Sequence, residues 1–157
     1  MIYLEKRVVP LKGKPASLTS KEFELEASTR NITLTTDMPA AVQLVSADIG
    51  LIERALRNLI ENSLQYTSAG GEILVRLNAD KQHVTVTVAD TGCGINAEHL
   101  PHIFDRFYRA EKSRNDLSGH AGIGLAIVKR ILDLHHSTVT AHSKPGNTTF
   151  TFALPFA

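Results

Sequence analysis

The sequence predicts an α/β fold in which a single mixed sheet carries helices on one face. Three observations support that expectation. Two segments, 48–66 and 122–136, place apolar residues at helical spacing, whereas 83–90 alternates with the period of a half-buried strand. The elements run helix, two strands, helix, two strands, loop, helix, two strands, which departs from the strict strand–helix alternation of a doubly wound sheet. A length of 157 residues suits one domain with one core.

Taken in order, residues 1–16 hold scattered apolar residues, two prolines and several basic residues, and read as a linker or edge strand. A helix then begins: Thr19 and Glu22 form a capping box, Leu18 and Phe23 a hydrophobic staple, and the helix runs to about Arg30. Residues 31–37 alternate, with Ile32 and Leu34 on one face, and predict a strand; after Pro39, residues 42–45 read as its hairpin partner. Asp48 is the expected N-cap of a long helix to Tyr66, with Ile52, Leu56, Leu59, Ile60 and Ser63 as the buried stripe. Gly70-Gly71 leads into Glu72–Ala79 and His83–Asp90, two strands joined by Asp80-Lys81-Gln82, with Val84, Val86 and Val88 on one face. Residues 96–104 read as a short helix or turn, and 105–121, rich in charge, as a mobile loop. A helix over 122–136 is expected to turn Ile123, Ile127, Ile131 and Leu134 inward, and 138–143 and 148–154 are the last two strands.

Composition excludes several classes. At 43% hydrophobic and 21% charged the chain is ordinary globular protein, and a net charge of +1 gives no global pull toward nucleic acid or membrane. Without Trp, and with few aromatics, a base-stacking platform is not expected. Cys93 is the only cysteine, so neither an internal disulfide nor a CxxC metal site can form, which fits a reducing compartment. No apolar run reaches membrane-spanning length and no signal peptide opens the chain, so a soluble segment without membrane contact is expected. The seven histidines are scattered without metal-ligand spacing, although His135-His136 falls near a helix end, where the dipole favours a cation. Nothing resembles G-x-S-x-G or a P-loop.

Polar residues in unusual places suggest the chemistry. Asn58 and Asn62, spaced i, i+4 in an amphipathic helix, are poor core residues because each carboxamide needs partners. Asn62 could offer its amide oxygen to a Mg²⁺ that also takes phosphate oxygens, with Asn58 one turn away. Asp90 ends a strand at an Asp-x-Gly-x-Gly turn; a carboxylate there accepts what an adenine amino group donates, and Gly92 and Gly94 let the backbone approach a flat ring. Gly119, Gly122 and Gly124 precede a helix beginning near Ile123, and helix N-termini bind phosphate. Arg106, Arg109, Lys112 and Arg114 lie in the charged loop, where a cation could neutralise a γ-phosphate. Each signal alone has an ordinary structural reading: an Asx turn, a hinge loop, packing amides, a solvated face.

In this order the signals are far more specific, and residues 18–155 resemble the catalytic ATP-binding domain of bacterial sensor histidine kinases in the GHKL ATPase superfamily. Residues 58–67 look like the N box, 90–95 the G1 box, 103–109 the F box, 119–125 the G2 box and 146–150 the G3 region. The resemblance implies the Bergerat-type two-layer sandwich, a mixed sheet packed against three helices, with residues 17–157 as the catalytic domain. It places Asn62 on Mg²⁺, Asn58 beside it in a catalytic role, and Asp90 on the adenine amino group. Tyr66, Gly92, Gly94 and Ile95 would shape the adenine end, supported by Thr148, while Gly119, Gly122, Ile123, Gly124 and Leu125 would cradle phosphates. Residues 105–121 would form the ATP lid, anchored by Phe104 and Phe107, and Arg106 or Arg109 would meet the γ-phosphate or the partner domain.

The implied function is transfer of the ATP γ-phosphoryl group to a histidine on a dimerisation domain that this chain lacks, then onward to a response regulator. Such a segment would be cytoplasmic in a protein anchored in the inner membrane. Three departures stand out: Gln65 replaces a frequent basic residue, the G3 region is one residue short, and His135-His136-Ser137 replaces His-Gly-Gly. Asn58 stands where hydrolysing relatives carry a glutamate base, so slow hydrolysis is expected. Rival readings are a GHKL protein-serine kinase of the anti-sigma-factor type and a degenerate partner-binding module.

Overall fold

The computed structural model describes residues 8–10, 21–38, 44–109 and 122–156. Its described elements are β1 (Val8–Pro10), α1 (Lys21–Thr29), β2 (Thr33–Asp37), β3 (Leu44–Ser46), α2 (Ile49–Tyr66), β4 (Glu72–Ala79), β5 (His83–Asp90), a 3-10 turn (Leu100–His102), α3 (Gly124–Leu134), β6 (Thr140–Lys144) and β7 (Asn147–Pro155). Five strands form one mixed sheet in the order β2-β4-β5-β7-β6, with β2 parallel to β4 and the other neighbours antiparallel.

The core lies on one face of that sheet. Ile73, Val75, Val84, Val86, Val88, Phe150, Phe152 and Leu154 are buried there, while the intervening Thr85, Thr87, Thr149 and Thr151 remain half-exposed, the alternation expected of a one-sided sheet. α2 covers this face with Ile52, Leu56, Leu59, Ile60 and Ser63, the stripe read from the sequence. Asp48 caps α2 as predicted, its Oδ1 accepting the Leu51 N–H at 3.0 Å.

Two expectations are corrected. Of residues 42–45 only Leu44 and Val45 lie within the described residues, and they do not pair with β2: they belong to β3, which pairs antiparallel with β1 in a separate two-stranded sheet, and Val45 bridges to Phe156. β2 instead takes β4 as a parallel neighbour, which requires a long crossover, and α2 supplies it. Val8–Pro10, within the segment read as a linker or edge strand, supplies the partner strand of β3. In α3 Ile131 is buried and Ile127 packs half-buried against the core as expected, but Val128 and Leu132 complete the inward face and Leu134 is exposed. The helix begins at Gly124, and residues 128, 131 and 132 share the stripe that meets α2, so Leu134 turns outward. The capping box and staple involve Leu18 and Thr19, which lie outside the described residues.

α2 and α3 pack together antiparallel and are tied at one end. His135 accepts the Asp48 N–H at Nε2 (3.0 Å), and its Nδ1 lies 2.7 Å from the Ile131 carbonyl oxygen. This pattern needs a proton on Nδ1 and a bare Nε2. The dipole at this helix end favours a cation, and the His135 ring is committed to backbone at both nitrogens. His136 adopts φ 53°, a left-handed position that glycine would otherwise fill in the helix stop.

Candidate functional site

Asp90 ends β5 beneath α2 and is 5% exposed. Its two oxygens are held separately: Ser63 donates its hydroxyl to Oδ2 at 2.9 Å, and Gly92 donates its N–H to Oδ1 at 3.0 Å. Burial pushes the carboxyl above the ordinary aspartate value of 3.8, and the Gly92 N–H and Ser63 hydroxyl partly pull it back. Across the sheet, Asp90 pairs with Ile73 on β4 and with buried Thr148 on β7.

The turn after Asp90 passes close to other backbone. A Cβ at Gly92 would meet the Tyr66 carbonyl oxygen at 2.5 Å, and one at Gly94 (φ 83°) would meet the Lys144 carbonyl at 2.8 Å, so neither position tolerates a side chain without movement. Gly92 accepts the Gly146 N–H at 2.9 Å, and Ile95 donates its N–H to Ser143 Oγ at 2.8 Å, itself 2.8 Å from Thr148 Oγ1. The shortened segment at 146–148 therefore still reaches the turn. Gly146 (φ 80°), not Asn147, supplies the left-handed position of the two-residue β6–β7 connection.

Asn58 and Asn62 lie one turn apart on α2, both half-exposed rather than in the core. Asn58 donates Nδ2–H to the Arg54 carbonyl at 2.8 Å, and its Oδ1 would be 3.1 Å from a Cβ on Gly124. The middle of α2 thus meets the first residue of α3. α3 starts with Ile123 as N-cap and no side-chain cap, so its first N–H groups have no side-chain partner among the described residues. Ile123, Gly124 and Leu125 are half-exposed, as is Gly122 (φ 67°).

The entry to the charged loop holds a further correction. Phe104 packs edge-on against Phe150 with ring centroids 6.3 Å apart, as an anchor should, but Phe107 is 72% exposed and buries little aromatic area. Its backbone is the anchor: at φ 64° it donates N–H to the Gly122 carbonyl at 3.0 Å, and that geometry turns the ring outward. Arg106 and Arg109 are exposed, the latter with its stem near Gly122. Gly119, Lys112, Arg114 and the rest of 110–121 lie outside the described residues.

The structure thus joins Asp90, Gly92, Gly94, Ile95 and Thr148, with the Tyr66 backbone, into one cluster, and Asn58 with Gly124 into another. Asn62 lies on α2 one residue before Ser63. Tyr66 itself is half-exposed at the end of α2. Two residues that hold this site escaped sequence reasoning: Ser63, read as part of an apolar stripe, and Ser143. A buried hydroxyl in such a stripe was the available signal, because it must find an acceptor. Among the described residues no group of three His, Cys, Asp or Glu side chains could hold a metal, and no helix is long and apolar enough to cross a membrane.

Comparison with known proteins points to the same class of domain. The family model described as histidine kinase-, DNA gyrase B-, and HSP90-like ATPase matches residues 47–157. The chain is 42% identical over 137 residues to the phosphate regulon sensor protein PhoR of Pseudomonas aeruginosa, covering 87% of this chain and 30% of that protein. It is 45% identical over 111 residues to the sensor histidine kinase CusS of Escherichia coli, covering 71% of this chain and 23% of that one. It therefore spans less than a third of the length of these curated relatives. The mycobacterial sensor histidine kinase MprB shares the fold, with a TM-score of 0.77 at 24% identity over 96% of this chain and 98% of that chain. Full-length ShkA, solved in complex with AMPPNP, gives a TM-score of 0.77 at 26% identity over 96% of this chain and 32% of that one. Fold, family model and relatives converge: the chain belongs to the histidine kinase-, DNA gyrase B-, and HSP90-like ATPase family, as an ATP-binding catalytic domain of the sensor histidine kinase kind.

Proposed function

We propose that this chain binds Mg²⁺·ATP and passes its γ-phosphoryl group to a histidine on a dimerisation domain of the full-length protein, from which a response regulator aspartate receives it. The catalytic domain is assigned to residues 17–157, with β1 joining the preceding segment to it through β3. In the full-length protein the segment is cytoplasmic and the remainder anchors it in the inner membrane.

The observation that carries this reading is the contact between the α2 carboxamide at Asn58 and the uncapped start of α3 at Gly124. Free N–H groups at a helix start receive phosphate oxygens, and Asn58 beside them cannot take a proton from water. Hydrolysis is thereby disfavoured and the nucleotide is held for another acceptor. Asp90 accepts from the adenine amino group, while Gly92 and Gly94 admit the ring and Ile95 and Thr148 brace that end. Asn62 fits a hard cation: it offers a half-exposed amide oxygen, and its carboxamide makes no hydrogen bond among the described residues. Mg²⁺ held there would neutralise phosphate charge. Gly119 and Gly122 support the phosphate loop, Ile123 and Leu125 flank it, Tyr66 lies beside the nucleotide, and Arg106 or Arg109 meets the γ-phosphate or the acceptor domain.

The test mixes this chain with a separately produced dimerisation domain from its own full-length protein, Mg²⁺ and ATP labelled at the γ position. Acid-labile, base-stable label on the acceptor histidine is expected. Label on serine or threonine, or release of free phosphate without transfer, would overturn the reading.

A further inference from the structure

We propose that Ser63 is a positioning residue for adenine recognition: its hydroxyl sets the plane of the Asp90 carboxylate and keeps an acceptor lone pair directed at the base. The inference rests on the nucleotide reading of the site and adds a residue to it.

Ser63 is fully buried on the α2 face that covers the sheet, among Leu59, Ile60 and Leu64. A serine in such a stripe contributes little apolar area, so its placement calls for a polar reason. Its hydroxyl donates to Asp90 Oδ2 at 2.9 Å while the Gly92 N–H donates to Oδ1 at 3.0 Å. A carboxylate held by one donor can rotate about its Cβ–Cγ bond; one held by a donor on each oxygen has a fixed plane. Each oxygen then retains a lone pair that neither donor uses. The two donors come from different elements, a helix and a turn, so the carboxylate is oriented by tertiary structure.

The same hydroxyl opposes protonation. Among the described residues, the hydrogen-bond and strand partners of Asp90 are Ser63 on α2, Ile73 on β4, Thr148 on β7 and Gly92 in the turn, and none of these carries charge. Burial therefore favours the neutral acid, countered by the Gly92 N–H and the Ser63 hydroxyl. Without the hydroxyl one of those two donors is lost, and the carboxyl takes up its proton at a higher pH. A protonated carboxyl presents an O–H where the adenine amino group needs an acceptor.

The experiment compares Ser63→Ala with the parent chain, titrating each with ATP and with the purine riboside triphosphate that lacks the exocyclic amino group, across the acid range, with Mg²⁺ held constant. Alanine is smaller and favours helix, so the variant is expected to fold. Ser63→Ala should bind ATP about tenfold more weakly, with the purine analogue nearly unaffected. The acid-side loss of ATP binding should begin at a higher pH than in the parent, and Ser63→Thr, which restores a hydroxyl, should return both measures toward the parent. Equal losses for both nucleotides, or an unchanged pH profile, would show a packing role only and overturn the proposal. A parent chain that binds neither nucleotide overturns the reading beneath it, and the two failures are distinguished by the parent titration alone.

Discussion

The two ends of the site are built differently. Around Asp90 every polar contact is internal and short: serine, glycine N–H and the Ser143–Thr148 hydroxyl pair are in place without any ligand. Around Asn58 and Asn62 the carboxamides are half-exposed and the start of α3 has no side-chain cap. The first end is preorganised, as the proposed reading of a base requires; the second keeps unspent hydrogen-bonding capacity, which suits the charged, hydrated group proposed there. Recognition that must discriminate one ring from another favours rigidity. A triphosphate with a metal, as proposed here, brings its own charge and water, and needs less fixed protein geometry.

The largest expected effect lies at the rigid end. Asp90→Asn keeps the shape of the side chain, and its amide can accept from Gly92 and donate to Ser63, so the fold should survive. ATP affinity should drop about a hundredfold in calorimetric titration, because a donor now faces the adenine amino group. A variant that melts early yet binds ATP normally would erase the contrast between the ends.

Next comes Asn62→Ala, which should weaken ATP binding about tenfold with Mg²⁺ present and little in its absence. Equal losses in both conditions would assign Asn62 to the nucleotide rather than the metal.

Acid titration separates the ends more gently. Because the folded Asp90 carboxyl lies above its ordinary value of 3.8, the group favours the fold most below that value. Its contribution declines as pH rises through the folded value and stays low above it. ATP binding moves oppositely, falling as pH drops through the raised folded value. Melting and binding profiles of the parent and of Asp90→Asn should show both trends, and the variant should lose both.

The smallest effect is expected at Phe107. Its left-handed backbone costs about 1 kcal/mol for a non-glycine residue, and Phe107→Gly would relieve that while losing about 0.5–1 kcal/mol to chain entropy. Chemical denaturation should register a net change within about 0.5 kcal/mol. A loss several times larger would mean that the exposed ring has a packing role in the free chain.

Local signals were legible and long-range ones were not. Asp48 announced its helix because an N-cap acts within three residues, and the α2 stripe followed from spacing alone. Asp90, Gly92 and Gly94 were legible as a turn at a strand end because each role is set by its neighbours. The pairing of β3 with β1 was hidden: nothing in residues 44–46 distinguishes a partner at 8–10 from one at 33–37, and the parallel choice of β2 depends on where α2 places β4. Ser63 was seen as buried but its acceptor, 27 residues away, was not. Phe107 resembles a core aromatic by type, yet its backbone is left-handed and its ring lies in solvent.

The imidazole of His135 joins the start of α2 to the end of α3. The middle of α2 at Asn58 meets the first residue of α3, Gly124, roughly 15 Å along the helices from that tie at 1.5 Å per residue. With one end pinned, any change in the angle between the helices would be felt most at the other contact. A change of about five degrees in the angle between the helices would displace Asn58 relative to Gly124 by roughly an ångström over that length, comparable to the difference between a good hydrogen bond and none.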